Sequence, residues 1–133
     1  MIYLTINNND FVGTLPASLG NLHQLELFWT SRNSFEGSIP AEFGKLVHLI
    51  SLIMNNNLYT GTIPSSLGNC VHMDEFKLYD MGIGKNGGAT EGGSGLIGAI
   101  PSELGNMTLV KKFILSGNQV SYTPSSRCYS NLK

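Results

Sequence analysis

The sequence predicts an α/β-type solenoid, in which short parallel strands line one side and short 3₁₀ or irregular turns the other. Three observations predict it. First, the segment NDFVGTLPASLGNLHQL, starting at Asn9, returns as NSFEGSIPAEFGKLVHL from Asn33 and as NLYTGTIPSSLGNCVHM from Asn57. Second, Asn9, Asn33 and Asn57 are 24 residues apart, as are Gly13, Gly37 and Gly61, and Pro16, Pro40 and Pro64. Third, every copy is preceded by a short segment in which apolar and polar residues alternate, the period of a strand with one buried face. A fixed repeat of this length describes a stack of identical coils.

Counting from Met1, the units are residues 1–24, 25–48, 49–72, 73–109 and 110–133, and together they make a single domain of five repeats. Their openings are MIYLTINNN, LELFWTSRN, LISLIMNNN, MDEFKLYDM and VKKFILSGN. Leu4, Phe28, Leu52, Phe76 and Phe113 form one inward file, with Ile6, Thr30, Met54, Leu78 and Leu115 beside it. Further inward files are Leu15, Ile39, Ile63 and Ile100; Leu19, Phe43, Leu67 and Leu104; and Leu22, Leu46, Cys70 and Met107. Each buried side chain of this kind contributes roughly 1.5 to 3 kcal/mol, while ordering a residue costs about 1 to 2 kcal/mol, so a single unit cannot hold itself together. Its neighbours must complete it.

The glycine file points to backbone conformations that a Cβ disfavours, and the proline fixes the backbone that follows. The segments ASLGNL, AEFGKL, SSLGNC and SELGNM are expected to form short 3₁₀ turns with Ser or Glu near the start. The fourth unit departs from the rule, because Pro64 and Pro101 are 37 residues apart where 24 are expected. The excess is a glycine-rich insertion at about 81–95, whose composition reads as a surface loop. Met81 takes the asparagine position there, so the asparagine file is weakest at this point. The fifth unit has Tyr122 at the glycine position and Pro124 at an apolar one, and is a degenerate last coil.

The consensus LxxLxLxxN followed by xFxGxIPxxLGxLxx resembles leucine-rich repeats of the plant type. These occur in plant receptor-like kinases, receptor-like proteins and polygalacturonase inhibitors, with similar repeats in algae and diatoms. The resemblance implies a right-handed coil, an asparagine ladder through Asn9, Asn33, Asn57 and Asn118, and an aromatic spine of Phe11, Phe35 and Tyr59. It also implies a protein or peptide ligand held on the concave sheet, within a receptor-like protein at the cell surface or outside the cell. Two alternatives stand beside that reading: a secreted inhibitor of a cell-wall-degrading enzyme, and a purely structural repeat fragment with no ligand of its own.

The outward residues of the strand segments are the candidate ligand-binding set: Tyr3, Thr5, Asn7, Leu27, Trp29, Ser31, Arg32, Ile53, Asn55, Glu75, Lys77, Tyr79 and Lys112. Within it, Trp29 with Leu27, Ile53 and Tyr3 is expected to form an exposed apolar patch rimmed by Arg32 and asparagines, the composition of an interaction hot spot. Eight basic residues against nine acidic ones leave no electrostatic case for nucleic acid. No apolar stretch reaches the ~18 residues needed to span a membrane, so no membrane contact is expected. The MIYLTI start lacks the basic region of a signal peptide and is read as repeat sequence, without a cysteine-paired cap.

Gly82, Gly84 and Gly87 match GxGxxG spacing, but no helix follows in a βαβ unit and GKN at Gly84 lacks the Ser or Thr of a phosphate loop, so no cofactor is expected. His48 and His72 occupy equivalent positions with no cysteine or carboxylate cluster, so they read as surface residues and no metal is expected. Cys70 and Cys128 read as two buried thiols. No nucleophile, base and orienting acid come together, which points to a non-enzyme. Asn106, Met107 and Thr108 make one glycosylation sequon.

Overall fold

The computed structural model describes residues 1–83 and 95–122. The glycine-rich segment at 84–94, with Gly84 and Gly87, and the last residues, with Pro124 and Cys128, lie outside it.

Among the described residues, the chain alternates a strand of the first sheet, a turn, a strand of a second sheet and a 3₁₀ turn. The strands are β1 (Ile2–Thr5), β2 (Val12–Thr14), β3 (Leu25–Trp29), β4 (Ser34–Ser38), β5 (Ser51–Ile53), β6 (Leu58–Thr60), β7 (Glu75–Lys77), β8 (Ile97–Ala99), β9 (Lys112–Ile114) and β10 (Gln119–Ser121). β1, β3, β5, β7 and β9 pair in parallel, in that order, as the concave sheet of the solenoid. Their register runs Leu4 to Phe28 to Leu52 to Phe76 to Phe113, the apolar file expected from the period.

The even strands were not expected. β2, β4 and β6 form a second parallel sheet, β8 pairs with β10, and Thr62 bridges to Ile97 across the gap. What reads in sequence as irregular chain is therefore hydrogen-bonded from coil to coil. The 3₁₀ turns stand where expected, at Ala17–Asn21, Ala41–Lys45, Ser65–Asn69 and Ser102–Asn106. Their N-caps, however, are Pro16, Pro40, Pro64 and Pro101, with no side-chain cap. Proline presets its own φ but has no side-chain acceptor, so each turn is closed by the backbone instead, through N–H bonds from Leu19, Phe43, Leu67 and Leu104 to the proline carbonyls.

Between the two sheets and the 3₁₀ turns lies one continuous core. Phe28, Phe43, Leu46, Leu52, Leu67, Cys70, Phe76 and Leu78 are fully buried within it. Phe28 meets Phe43 edge to face at 5.3 Å, and Phe76 stacks on Phe113 at 5.0 Å. Leu22 belongs to an inward file yet is 44% exposed, at the C-cap of the first 3₁₀ turn. Burial pushes the Cys70 thiol up to about 11, so it stays a neutral apolar filler.

The asparagine file carries the coil-to-coil polar bonding. The Asn57 amide donates to Met54 O (3.0 Å) in its own turn and to Thr30 O (2.9 Å) in the coil before. Its Oδ1 accepts from the Phe35 N–H at 3.1 Å. Asn33 repeats this with Thr30 O, Ile6 O and the Phe11 N–H. Met81 is buried and has no amide to offer, so the file is interrupted in the fourth coil. It resumes at Asn118, whose amide donates to Leu115 O and Leu78 O and whose Oδ1 accepts from the Leu96 N–H. Leu96 thus holds the position of Phe11 and Phe35. The aromatic rings stack at 5.8 Å for Phe11 on Phe35 and 6.4 Å for Phe35 on Tyr59.

Two glycine files set how closely the coils approach. Gly37 has φ +76°, which a residue with a Cβ rarely adopts. Gly68 is required for space, since a Cβ there would stand 2.2 Å from Glu103 O of the next coil's 3₁₀ turn.

Asn57→Ala strands the Phe35 N–H and the Met54 carbonyl in the interior, while Thr30 O keeps the Asn33 amide. Leaving such groups unpaired costs roughly 1 to 3 kcal/mol each before relaxation, so a net loss of about 2 to 4 kcal/mol is expected in urea unfolding. A loss under ~1 kcal/mol would mean that the ladder does not carry the stack.

Candidate interaction surface

The parallel register arranges the outward side chains of the concave sheet in files that run along the solenoid. The first file is Tyr3, Leu27, Ser51, Glu75 and Lys112, and the second is Thr5, Trp29, Ile53, Lys77 and Ile114. Adjacent members lie on neighbouring strands, about 4.8 Å apart. A third file, Asn7, Ser31, Asn55 and Tyr79, follows the strand ends and is tied by backbone bonds from Asn8 to Ser31 O, Arg32 to Asn55 O and Asn56 to Tyr79 O.

The structure sorts the sequence-predicted residues into scaffold and surface. Asn7 Oδ1 accepts from the Ser31 N–H at 2.8 Å, the Ser31 hydroxyl donates to Asn55 Oδ1 at 2.7 Å, and the Asn55 amide donates to Asn56 Oδ1 at 2.6 Å. Ser31 and Asn55 are only 9% and 7% exposed. Their polar groups are spent within the file, so Ser31 and Asn55 present little to a ligand, while Asn7 and Tyr79 remain half-buried. Trp29 is not freely exposed either. It is half-buried, and its indole N–H donates to the buried Ser51 hydroxyl at 2.8 Å, which fixes the ring across β3 and β5. Tyr3 lies in Leu27's file, one strand away, and is exposed. The apolar strip is therefore Leu27, Trp29 and Ile53, all half-buried, with Tyr3 at one end.

At the other end of the sheet the surface becomes charged. Glu75 Oε1 accepts from Lys112 Nζ at 2.5 Å and pairs with Lys77 Nζ at 3.4 Å. The hydrogen bond from Lys112, more than the field of Lys77, holds the Glu75 carboxyl below the usual carboxylate range. A depressed carboxylate stabilises the fold above its unfolded pKa, and that contribution is lost as pH falls through the folded one. Because the pair is open to solvent, it is worth little to stability. Lys111 and Asp74 pair separately at 2.8 Å on the rim.

Arg32 carries a feature the sequence did not announce. Asn8, Arg32, Asn56 and Asp80 all have φ between +53° and +57°, and Gly117 continues the file at +69°. Asparagine, aspartate and glycine tolerate the left-handed region, whereas arginine has no such ease. Its side chain is exposed beside the Trp29 strand.

His48 and His72 stack at 6.5 Å with their planes 2° apart, exposed on the edge beside Gln24 and Glu26. Among the described residues no group of three or more His, Cys, Asp or Glu could hold a metal ion, and no helix is long and apolar enough to cross a membrane. Asn106 is exposed at the end of its 3₁₀ turn. On the second sheet's side, Thr14, Ser38 and Thr62, at equivalent positions of three coils, are exposed and line a groove of about 590 Å³ with Ile39, Pro40 and Pro64. The methyls of Thr14 and Thr62 lie over Gly37 and Gly98 of the next coils.

A Leucine Rich Repeat family model matches residues 1–22 and 48–70. The BIR3–SERK2 complex from Arabidopsis thaliana contains a similar chain, with 26% identity and a TM-score of 0.76 over 93% of this chain and 60% of that one. This chain carries leucine-rich repeats of the plant type. The Arabidopsis receptor kinase HAESA, solved with the peptide hormone IDA and the co-receptor SERK1, gives another similar chain at 30% identity and a TM-score of 0.76. That match covers 88% of this chain and 18% of the other. A plant ice-binding protein is similar at 25% identity and a TM-score of 0.73, over 89% of this chain and 34% of that one. No curated protein sequence matches. The leucine-rich-repeat chain thus spans 60% or less of the length of each of these solved chains.

Replacing Arg32 with asparagine relieves a left-handed backbone cost of order 1 kcal/mol. Arg32→Asn is expected to raise stability by about 0.5 to 1 kcal/mol, read as a higher urea midpoint with an unchanged slope.

Proposed function

We propose that the chain is a recognition module of a receptor-like protein outside the cell, and that its concave sheet binds a protein or peptide. The observation that carries this reading is the strip of Leu27, Trp29 and Ile53. It is partly exposed apolar surface on a sheet whose backbone is fixed from coil to coil, with the indole locked by Ser51. A rigid aromatic anchor loses little entropy on binding, and aromatic residues dominate the energetics of interfaces. The likeness to the HAESA ectodomain, solved with a peptide hormone and a co-receptor, supports the same reading. The module binds and does not catalyse.

The test is selection of octapeptides from a randomised library on the chain, followed by affinity measurement. Thr5 is exposed and next to Trp29 in the second file. Thr5→Arg is therefore expected to weaken the selected peptides at least tenfold while changing stability by no more than ~0.5 kcal/mol. Glu103→Arg, on a 3₁₀ turn away from the sheet, leaves them unchanged. Peptides indifferent to Thr5→Arg would refute concave binding.

A second reading is favoured by Thr14, Ser38 and Thr62. These are exposed hydroxyl-bearing residues at equivalent positions of three successive coils, and a plant ice-binding protein is among the similar structures. On this reading the second sheet's outer side orders water against ice. Thermal hysteresis, lost on Ser38→Lys, would support it, and its absence at millimolar protein would dismiss it.

A further inference from the structure

Resting on concave recognition, we propose that the preferred ligand is an extended peptide carrying an apolar side chain and, three residues on, a carboxylate, with the first on Trp29 and Ile53 and the second between Lys77 and Lys112. The argument starts from the charges. On the sheet Glu75 is shared by two lysines, and Asp74, whose field also reaches Lys112, is paired with Lys111, so the cluster carries one positive charge in excess. Glu75 stays ionised, because the Lys112 bond favours its charged form. Lys112 is exposed, so an arriving carboxylate can share it without burying an unpaired charge.

Spacing supplies the second half. Trp29, Ile53 and Lys77 are successive members of one file, so Trp29 and Lys77 are two strands apart, about 9.6 Å. A polyproline II segment rises about 3.1 Å per residue with three residues per turn, so its positions i and i+3 face the same way about 9.3 Å apart. A β-extended peptide puts i and i+3 on opposite faces and does not match. The apolar end and the cationic end of the sheet therefore fit one turn of a polyproline helix laid along the solenoid. The carboxylate can come from an acidic side chain or from the peptide's own C-terminus.

The probes are fluorescein-labelled peptides GGLPPDGG-amide, GGLPPNGG-amide, GGLPDPGG-amide and GGLPPG with a free C-terminal carboxylate, titrated against the full chain by fluorescence anisotropy. GGLPPDGG is expected to bind at least tenfold tighter than its Asn and shifted-Asp counterparts. GGLPPG reports whether a terminal carboxylate serves equally. Lys77→Gln is expected to erase the preference for Asp. Glu75→Gln removes the competing carboxylate and should raise that preference several-fold, an effect that a merely structural ion pair would not produce. Circular dichroism of each variant checks the fold, and a charge-neutral Lys77→Met serves if Lys77→Gln does not fold. Equal binding of the Asp and Asn peptides, with both weakened by Thr5→Arg, would overturn the carboxylate preference and leave concave recognition standing. Tight library peptides that ignore Thr5→Arg would overturn both.

Discussion

The coils are held in register by one repeated interaction, the buried asparagine amide that bonds two turns at once. Asn57 joins Met54 O of its own coil to Thr30 O of the preceding one and closes the Phe35 N–H with its oxygen. An asparagine has the donors and acceptor for this, and no apolar residue does. Everything else in the stack is spaced by that bond: the rings above it, the glycine that must turn beside it, and the 3₁₀ turns that approach until only a hydrogen fits between Gly68 and Glu103. Van der Waals packing fills the coil, but the ladder decides which residue faces which.

This division explains where specificity can reside. The residues that recur from coil to coil are buried or spent on backbone bonds, and they are the same whatever the protein binds. Ser31 and Asn55 look like surface in the sequence because they occupy outward positions, yet they extend the scaffold by bonding each other and Asn7. What remains variable and open is narrow: an apolar strip at one end of the sheet and a charged group at the other. A recognition surface made of so few residues, carried on a rigid frame, can change partner by a handful of substitutions without disturbing the fold.

The inward files, the asparagine ladder and the aromatic stack were legible because a period of 24 residues brings chemically alike residues into line. The second sheet was not, since strands such as Val12–Thr14 and Leu58–Thr60 are three residues long and contain or adjoin a glycine, which is too short for an alternating pattern. Leu96 was hidden by the insertion, which displaces it from the count. The Trp29 to Ser51 bond joins residues 22 apart that share no motif, so only the register of β3 on β5 reveals it. The left-handed file was invisible for a different reason: Asn8, Asn56 and Asp80 suit that conformation silently, and Arg32 differs from them only in what it costs.

The ends of the insertion carry a consequence for how such a chain can change over time. Gly95 lies where a Cβ would be 3.1 Å from the Gly82 N and 2.7 Å from Asn118 Oδ1, so the chain returns to the stack almost at the point where it left. A segment whose two ends already touch imposes no span on what lies between, and doubling its length costs only about 0.6 kcal/mol of closure entropy. Whole new sequences can therefore be accepted at this junction, lengthened or lost, while the coils on either side keep their pairing. The solenoid has a port at which novelty enters without renegotiating the architecture.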